Sequence, residues 1–479
     1  MKKVLGILLA VVMLVTMLAA CTDNAPAAEE TPAASETATP EATTPPPADT
    51  ETDEDENAAE NADGRPTGEL NIAIFEGGFG PDFWNEVVTL FEADNPGVTV
   101  NMQISPEIGD IIRPQIVAGN VPDFLNMNVG DQTGLVLNLV QERGLLDITD
   151  VFDGPQYDNN ATLRSLIIDG FLQSALCAPY GDGRIFLAPS NAGPMGMVYN
   201  ITLFEENGWD VPVTWDDFFA LGEKAAEQGI SLFTYQGIHP GYMESILWPA
   251  IASHIGLDDF SKITSFEPGI FEDPRVIEVL EKIAQIGTSG MLMPGTVALN
   301  HTQSQTDQMN NRALFIPNGT WMEPEMEDVP RAEGYRFGLT PPPVMNAGDT
   351  RFIMSSIEQF SIPAGAANPE LAKLFLRFLY TDEVIAMYAR LSGAVMATNN
   401  ALELTREYLT EGVYGMFGAY NEPGAAALIV GFDAIPEGSL TNPFDEIWGP
   451  LADVMMGQMT AQEWADGINQ AFQDMADGR

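Results

Sequence analysis

The chain has 479 residues, of which 69 are acidic and 20 are basic, giving a formal net charge of −49. This balance excludes nucleic acid as a partner, because no basic patch is available to meet phosphates, and it argues against adhesion to anionic lipid headgroups. Cys21 and Cys177 are the only cysteines, so the chain after Cys21 is predicted to have no internal disulfide.

The N-terminal segment has the composition of a secretory signal. Lys2 and Lys3 precede an apolar run over residues 4–18, which ends in small residues and Cys21. This pattern predicts a signal peptide over residues 1–20, too short to span a bilayer comfortably. The sequence before Cys21 resembles the lipobox of bacterial lipoproteins, which implies that Cys21 becomes a lipidated first residue on the extracellular face of the cytoplasmic membrane. The alternative is an ordinary cleaved peptide with an incidental Cys21.

The segment that follows, residues 21–66, is predicted to be a disordered acidic linker. From Thr22 to Pro66 it contains no Val, Ile, Leu, Met or aromatic residue, so no hydrophobic burial offsets the entropy of ordering its backbone. The rest of the chain is too long for a single hydrophobic core, which predicts two lobes.

A strand–helix–strand unit is predicted at the start of the folded part. Apolar residues alternate over residues 70–74 and again over 98–104, as they do in strands. Between them, residues 83–91 place apolar side chains three and four positions apart, as on the buried face of a helix. The pattern therefore predicts a βαβ unit with parallel strands.

Candidate ligand residues follow the strands of this predicted unit. Phe79 comes after the first strand, while Asn128 and Asp131 come after a third strand that is predicted to begin at Pro122. In open α/β sheets, ligands bind outside the carboxyl ends of the strands. These three side chains are therefore expected near a binding site.

Alternating strands and helices continue along the chain. Two strands are predicted over residues 185–189 and 196–200. Helices are predicted to begin at a capping box opened by Thr214, and at Pro274 and Pro369. This alternation predicts an α/β fold with layered sheets.

The stretch from Gly295 to Met326 gives the clearest indication of a binding site. Residues 313–316 are apolar and predict a short buried strand. Asn318–Gly319 then predicts a turn. Polar residues precede this strand and an aromatic residue follows it. Side chains that can bind a ligand therefore lie close together in the sequence here.

The side chains of this stretch suit a sugar. His301 and Gln303 supply hydrogen-bonding groups, and Trp321 supplies a flat ring close to the Glu323 carboxylate. Such a set fits a ligand with an apolar face and a polar rim, as a sugar ring has. The alternative is that Trp321 is a core residue at a strand end.

Five motifs resemble, in the same order, those of bacterial extracellular solute-binding proteins of the maltose-binding type. They lie at Asn95–Val98, Pro122–Asp123, Asp182–Phe218, Arg312–Trp321 and Asn368–Ala372. The resemblance covers essentially all of residues 68–479. The segment from Asn300 to Glu323, together with Phe79 in its glycine-rich loop, more narrowly resembles the binding proteins of N-acetylglucosamine and diacetylchitobiose transporters.

The resemblance implies an α/β, two-lobed periplasmic-binding-protein-like fold after the disordered stalk. Three crossings between the lobes are implied, near residues 188–189, 354–358 and 397–400. One lobe would comprise residues 67–188 and 355–398, and the other residues 189–354 and 399–479. Closure of the lobes on a ligand is then a hinge motion.

The resemblance also implies the function. The protein would be a monomer that captures a sugar, with N-acetylglucosamine or a short chitooligosaccharide favoured, and delivers it to a membrane-embedded ABC permease. It would need no cofactor and perform no chemistry, and the chain has no G-x-x-x-x-G-K-[ST] pattern for ATP. Glu76 and Gly77 stand where several maltose-type relatives carry charged sugar contacts, which argues against a linear maltose-like ligand.

Family position assigns roles to single side chains. Tyr199 and Trp321 would stack on sugar faces, and Phe79 would form the opposite wall. Hydrogen bonds to hydroxyl or acetamido groups would come from Asn128, Asp131, His301, Gln303, Glu323 and Glu358. Trp248 and Trp448 are further candidates for the cleft, although a core position is favoured for both.

Three of these polar residues have a structural alternative. Asp131 could cap a helix, Glu358 could be solvated beside a hinge, and His301 could make structural hydrogen bonds. In a binding site such groups set specificity more than affinity, because a wrong sugar leaves them buried and unpaired.

A secreted glycoside hydrolase is the alternative function, since such enzymes use two cleft carboxylates about 5 or about 6.5–9.5 Å apart. No carboxylate pair stands out, because the acidic residues are scattered along the chain. A serine hydrolase is disfavoured, because His239, His254 and His301 are the only histidines and no G-x-S-x-G pattern accompanies them. No H-E-x-x-H pattern or cluster of His and Cys predicts a metal site. Binding without chemistry is favoured.

Overall fold

The computed structural model describes residues 64–127, 133–168, 170–436 and 439–478. The predicted signal peptide, Cys21 and the linker up to residue 63 lie outside these residues, and so do Asn128 and Asp131. Within the described ranges, no helix is both long enough and apolar enough to cross a membrane.

Strands and helices alternate along the described residues. The strands are β1 (Gly68–Phe75), β2 (Val98–Ser105), β3 (Phe124–Asn126), β4 (Leu187–Asn200), β5 (Ser231–Phe233), β6 (Ala313–Gly319), β7 (Phe337–Thr340), β8 (Arg351–Ser361) and β9 (Ala425–Leu428). The helices are α1 (Asp82–Asp94), α2 (Ile108–Val117), α3 (Leu135–Gln141), α4 (Thr149–Asp153), α5 (Ile201–Asn207), α6 (Trp215–Ala226), α7 (Glu244–Ile255), α8 (Leu257–Thr264), α9 (Pro274–Thr288), α10 (His301–Met309), α11 (Met322–Glu325), α12 (Pro369–Leu379), α13 (Asp382–Ser392), α14 (Ala401–Leu404), α15 (Glu411–Met416), α16 (Pro443–Trp448), α17 (Leu451–Met455) and α18 (Ala461–Ala476).

The predicted strand–helix–strand unit is confirmed as β1, α1 and β2. The two strands pair in parallel over their full lengths, and the buried side chains of α1 are Phe83, Trp84, Val87 and Phe91. Gly97, with a φ of 98°, turns the chain from the helix into β2, a backbone conformation that glycine adopts without strain.

The strands form one connected sheet in the order β2-β1-β3-β8-β4-β6-β5, with β7 on β4 and β9 on β8. β4 is 14 residues long and changes partners along its length. It pairs first with β8, then with β6, and finally with β7 at Asn200. This strand therefore connects the parts of the sheet on either side of it.

The three segments predicted to cross between the lobes lie side by side. β4 pairs antiparallel with β8, and the register shifts between Pro189 and Ala192, as at a bulge that bends a strand. The third segment joins them, because the Ala397 N–H donates to the Ser190 carbonyl at 2.9 Å. This is the three-crossing arrangement that the family resemblance implies.

The predicted helix starts are confirmed. At α6, the Asp217 N–H donates to the Thr214 hydroxyl at 3.2 Å, and the Asp217 carboxylate accepts from the Thr214 N–H at 3.1 Å. Asp273 caps α9, whose first residue is Pro274. Helix α12 begins at Pro369.

Two strand predictions are wrong in extent. Residues 187–200 form a single strand instead of two, because ladder pairing continues through the middle of β4. Asn318–Gly319 does not turn the chain, since both residues pair with Met195 and Gly196 of β4 and so extend β6. Local composition misses both features because pairing with a distant strand decides them.

Most of the buried apolar side chains fall into two large cores. The first draws mainly on residues 70–188 and 353–419, and the second on residues 195–354 and 428–475. Two cores are what a two-lobed fold requires. The first core also contains Met309 and Met322, which the sequence assigned to the second lobe, so the exact lobe boundaries stay a prediction.

Candidate functional site

A small cavity lies where the crossing segments meet the ends of β1 and β6. Its lining comes from separate parts of the chain: Phe79, Asn191, Ala192, Gly193, Thr320, Trp321 and Val395. Phe79 follows β1 and Trp321 follows β6, while the other residues belong to the crossings or stand beside them. Two aromatic residues that the sequence singled out therefore line the same cavity.

Trp321 is held by the backbone of β6 and by a second ring. A Cβ atom at Gly319 would lie 2.2 Å from the Trp321 ring, so the ring lies directly over a position that only glycine can occupy. The Tyr242 ring centroid is 6.5 Å from that of Trp321. These contacts fix the ring at the cavity before any ligand binds.

The Phe79 side of the cavity has its own aromatic and acidic groups. The rings of Phe79 and Tyr388 meet edge to face, with centroids 6.2 Å apart. Burial raises the pKa of Tyr388 well above its usual value, and the charge of nearby Glu358 raises it further. Burial also raises the pKa of Glu358 to about 7. This wall therefore carries a carboxyl group that is easily protonated.

The Trp321 side has a second carboxyl group, Glu325 of α11. Its Oε2 accepts a hydrogen bond from Gln305 Nε2 at 3.1 Å, and its Oε1 lies 3.5 Å from His301 Nε2. Burial is the main cause that raises the pKa of Glu325. The charge of Glu325, after burial, also raises the pKa of Tyr242. Glu325 therefore lies beside the two rings on this side.

A third carboxyl group, Glu244, begins helix α7. Burial raises its pKa to about 7, and its charge contributes to the raised pKa of Tyr242. Tyr242 thus has Trp321, Glu325 and Glu244 as neighbours. Carboxyl groups that are buried near aromatic rings are common in ligand sites.

The loop after β1 closes over Glu325. A Cβ atom at Gly78 would lie 3.4 Å from the Glu325 Cβ. The cavity beside this contact has a volume of about 10 Å³, room for a single water molecule, whereas ligand pockets measure about 300–1,000 Å³. In this conformation the space between Phe79 and Trp321 is therefore too small for a ligand of sugar size.

The chain matches a known protein family. A model of the bacterial extracellular solute-binding protein family matches residues 86–410, more than half of the chain. The chain belongs to this family. The family resemblance read from the sequence motifs is therefore confirmed.

Named relatives of this solute-binding protein include sugar-binding proteins. The diacetylchitobiose binding protein NgcE of Streptomyces coelicolor is 26% identical over 329 residues, which cover 67% of this chain and 68% of the relative. The multiple sugar-binding protein of Streptococcus mutans is 23% identical, over 66% of this chain and 72% of the relative.

Solved structures show the same fold. A chitin oligosaccharide binding protein superimposes with a TM-score of 0.69 and 17% identity, over 86% of this chain and 100% of that one. The binding protein RafE in complex with raffinose superimposes with a TM-score of 0.63 and 18% identity, over 85% of this chain and 100% of that one. At such identities the likeness establishes the two-lobed fold.

Tyr199 of the solute-binding protein lies apart from the residues that line the cavity. Its ring centroid is 4.8 Å from that of Phe204 and 6.0 Å from that of Phe315. It also covers Gly338, where a Cβ atom would meet the Tyr199 ring at 2.6 Å. Burial raises its pKa to about 12. This environment favours a packing role for Tyr199.

Three further predicted site residues make contacts within the fold, away from the cavity. Trp248 is 1% exposed and packs in the second core, 5.5 Å from the Trp448 ring. Gln303 closes a capping box, accepting from the Asn300 N–H at 3.1 Å. The Glu323 carboxyl lies against α15, where a Cβ atom at Gly412 would meet its Oε2 at 2.0 Å. None of these three lines the cavity among the described residues.

Besides Glu358, His301 is a predicted polar residue that lies beside one of these carboxyl groups, Glu325. It begins α10, and besides Glu325 its ring faces that of His239, with centroids 5.5 Å apart. Burial, and secondarily the charge of His301, lower the pKa of His239. In the described part of the chain, no group of three or more His, Cys, Asp or Glu side chains is placed to hold a metal ion.

Sequence reasoning missed Tyr242, Glu244 and Glu325. Tyr242 and Glu244 follow a Pro–Gly pair and precede the apolar run of α7, so they stand where a loop enters a buried helix. Polar residues at such an entry could have been identified as candidates. Glu325 was overlooked because it comes four residues after Trp321, one helical turn further along the chain.

The raised pKa of Glu358 predicts a pH-dependent stability. Between pH 4.5, its ordinary pKa, and about pH 7, the folded carboxyl keeps a proton that the unfolded one has lost. The unfolded state then binds fewer protons, so stability falls as pH rises through this window. Glu358→Gln removes this titration. Its unfolding free energy, relative to wild type, is expected to rise by up to about 3 kcal/mol between about pH 5 and pH 8.

Denaturant unfolding at the two pH values measures this difference. Glu206→Gln, at an exposed position on α5, is the matched control and should show no such change. An equal difference between Glu358→Gln and wild type at both pH values would contradict the assignment.

Proposed function

We propose that this solute-binding protein captures a carbohydrate between its two lobes, with N-acetylglucosamine or a short chitooligosaccharide favoured, and releases it unaltered to an ABC permease. A lipid on Cys21 ties the protein to the extracellular face of the cytoplasmic membrane. The lobes are those predicted from the sequence, residues 67–188 with 355–398 and residues 189–354 with 399–479.

The observation that carries the proposal is the cavity between Phe79 and Trp321. It lies at the crossings, its lining is contributed by the ends of β1 and β6, and aromatic rings stand on both of these sides. Aromatic rings suit the apolar faces of sugars, and the carboxyl groups nearby accept hydrogen bonds from hydroxyl groups. The relative that binds diacetylchitobiose supports an amino sugar as the ligand.

Hinge opening connects this site to transport. The described cavity of about 10 Å³ is too small for a sugar, so its walls would separate to admit one and then close around it, and the bulge in β4 at Pro189 offers a place for the hinge. A ligand that contacts both walls stabilises closure, because those contacts exist only in that state. The closed, loaded protein would then dock on the permease.

A sugar panel tests the proposal. Tryptophan fluorescence and calorimetry on the purified protein should show saturable binding of N-acetylglucosamine or its β-1,4 dimer, and weaker binding of maltose. The absence of binding by any sugar in the panel would refute the carbohydrate proposal. Release of reducing ends from a chitooligosaccharide would instead indicate a hydrolase.

A further inference from the structure

Three carboxyl groups near the aromatic rings of the cavity have no lysine or arginine partner, and only Glu325 has a histidine beside it, His301 at 3.5 Å. They are Glu244, Glu325 and Glu358, and none of the described lysine or arginine side chains forms an ion pair or hydrogen bond with them. Elsewhere in the described chain, even the nearly buried Arg351 is paired with a carboxylate, Glu422, at 2.7 Å. Buried charges in proteins are normally paired in this way. Glu244 and Glu358 therefore depart from this pattern, and Glu325 meets it only through the His301 ring.

A buried acceptor beside Glu325 also has no donor. Gln305 is 0% exposed, and its Nε2 donates to Glu325, which fixes the orientation of its amide. The amide oxygen, Oε1, has no hydrogen-bond partner. Leaving such an acceptor unmet costs about 1–3 kcal/mol. The position thus offers an acceptor and an acidic group together, next to the loop that carries Phe79.

We propose that the sugar unit seated against Glu325 carries a protonated amine, so that the cleft prefers a partly deacetylated amino-sugar oligomer to a fully N-acetylated one. This inference rests on the proposed function and specifies its substrate class. An ammonium group brings three N–H donors and a positive charge. An acetamido group brings one N–H donor and no charge, and a hydroxyl group likewise brings no charge.

The electrostatics of the surrounding groups support this choice. Burial raises the pKa of all three carboxyl groups, because each is costly to ionise without a nearby cation. The other titratable groups that face Glu325 are Tyr242 and His301, and His239 lies behind His301. Only the histidines can become cationic there. A ligand ammonium would supply a positive charge that does not depend on protonation of a histidine.

The test compares the β-1,4 dimer of glucosamine with the β-1,4 dimer of N-acetylglucosamine by calorimetry near pH 7 on the full chain. The free-amine dimer is expected to bind about tenfold more tightly. In Glu325→Gln this ratio should fall towards one, since glutamine keeps the shape and removes the charge. Glu206→Gln, on the exposed face of α5, should keep the wild-type ratio.

Each result of this comparison either supports or overturns the inference. Tighter binding of the free-amine dimer that is lost in Glu325→Gln supports the inference. Equal or tighter binding of the N-acetylated dimer overturns the inference and leaves the proposed function standing, as does a ratio that persists in Glu325→Gln. Failure of both dimers and of every other sugar to bind overturns the proposed function together with this inference.

Discussion

Replacing Trp321 by alanine is expected to weaken sugar binding by tenfold or more, which corresponds to about 1.4 kcal/mol. The ring lines the cavity and lies against Gly319, so its removal takes away one wall. Stacking of a nucleic-acid base on an aromatic ring is worth about 1–3 kcal/mol, and a sugar face of similar area should gain a comparable amount. Calorimetry against the best ligand of the sugar panel measures the loss.

The matched control is Trp209→Ala. Trp209 is a partly buried tryptophan of the second core whose ring meets Phe204 edge to face at 5.9 Å, away from the cavity lining. It should lower stability while leaving the affinity for sugar unchanged. Equal losses of affinity in the two variants would mean that Trp321 acts through general stability, and the stacking role would then be rejected.

Local elements of the fold were predictable because their signals are local. The alternation in β1 and β2, the spacing of Phe83 and Phe91, and the capping box at Thr214 each depend on residues only a few positions apart. The ends of strands were less predictable. Asn318–Gly319 has the composition of a turn, yet pairing with β4, more than 100 residues earlier in the chain, keeps it extended.

The candidate site was predictable only in part, for the same reason. Phe79 and Trp321 follow strand ends, and sequence alone places such residues at a sheet edge. Tyr242, by contrast, meets Trp321 from the turn just before α7, which a one-dimensional pattern cannot place against β6. Nor does alternation along β4 reveal that Tyr199 faces Phe204 and Phe315.

A disulfide between Gly78→Cys and Glu325→Cys is expected to lock the cleft and abolish sugar binding. A Cβ atom at Gly78 would lie 3.4 Å from the Glu325 Cβ, close to the range of about 3.5–4.5 Å that disulfides need. With Cys21→Ser, the only other thiol is Cys177, which is buried and 0% exposed. Because ligand must enter while the two sides are apart, the oxidised protein should not bind the sugar.

The reduced form of the same double variant is the matched control, since it has the same two substitutions and a free hinge. Adding a reductant should restore binding to the level of that form, and the single variant Gly78→Cys should not respond to oxidation. Loss of binding on oxidation alone means that the closed population cannot admit ligand, so opening must precede capture. Equally fast binding by the oxidised protein would show that ligand enters without separation of Phe79 from Trp321, and the hinge mechanism would be wrong.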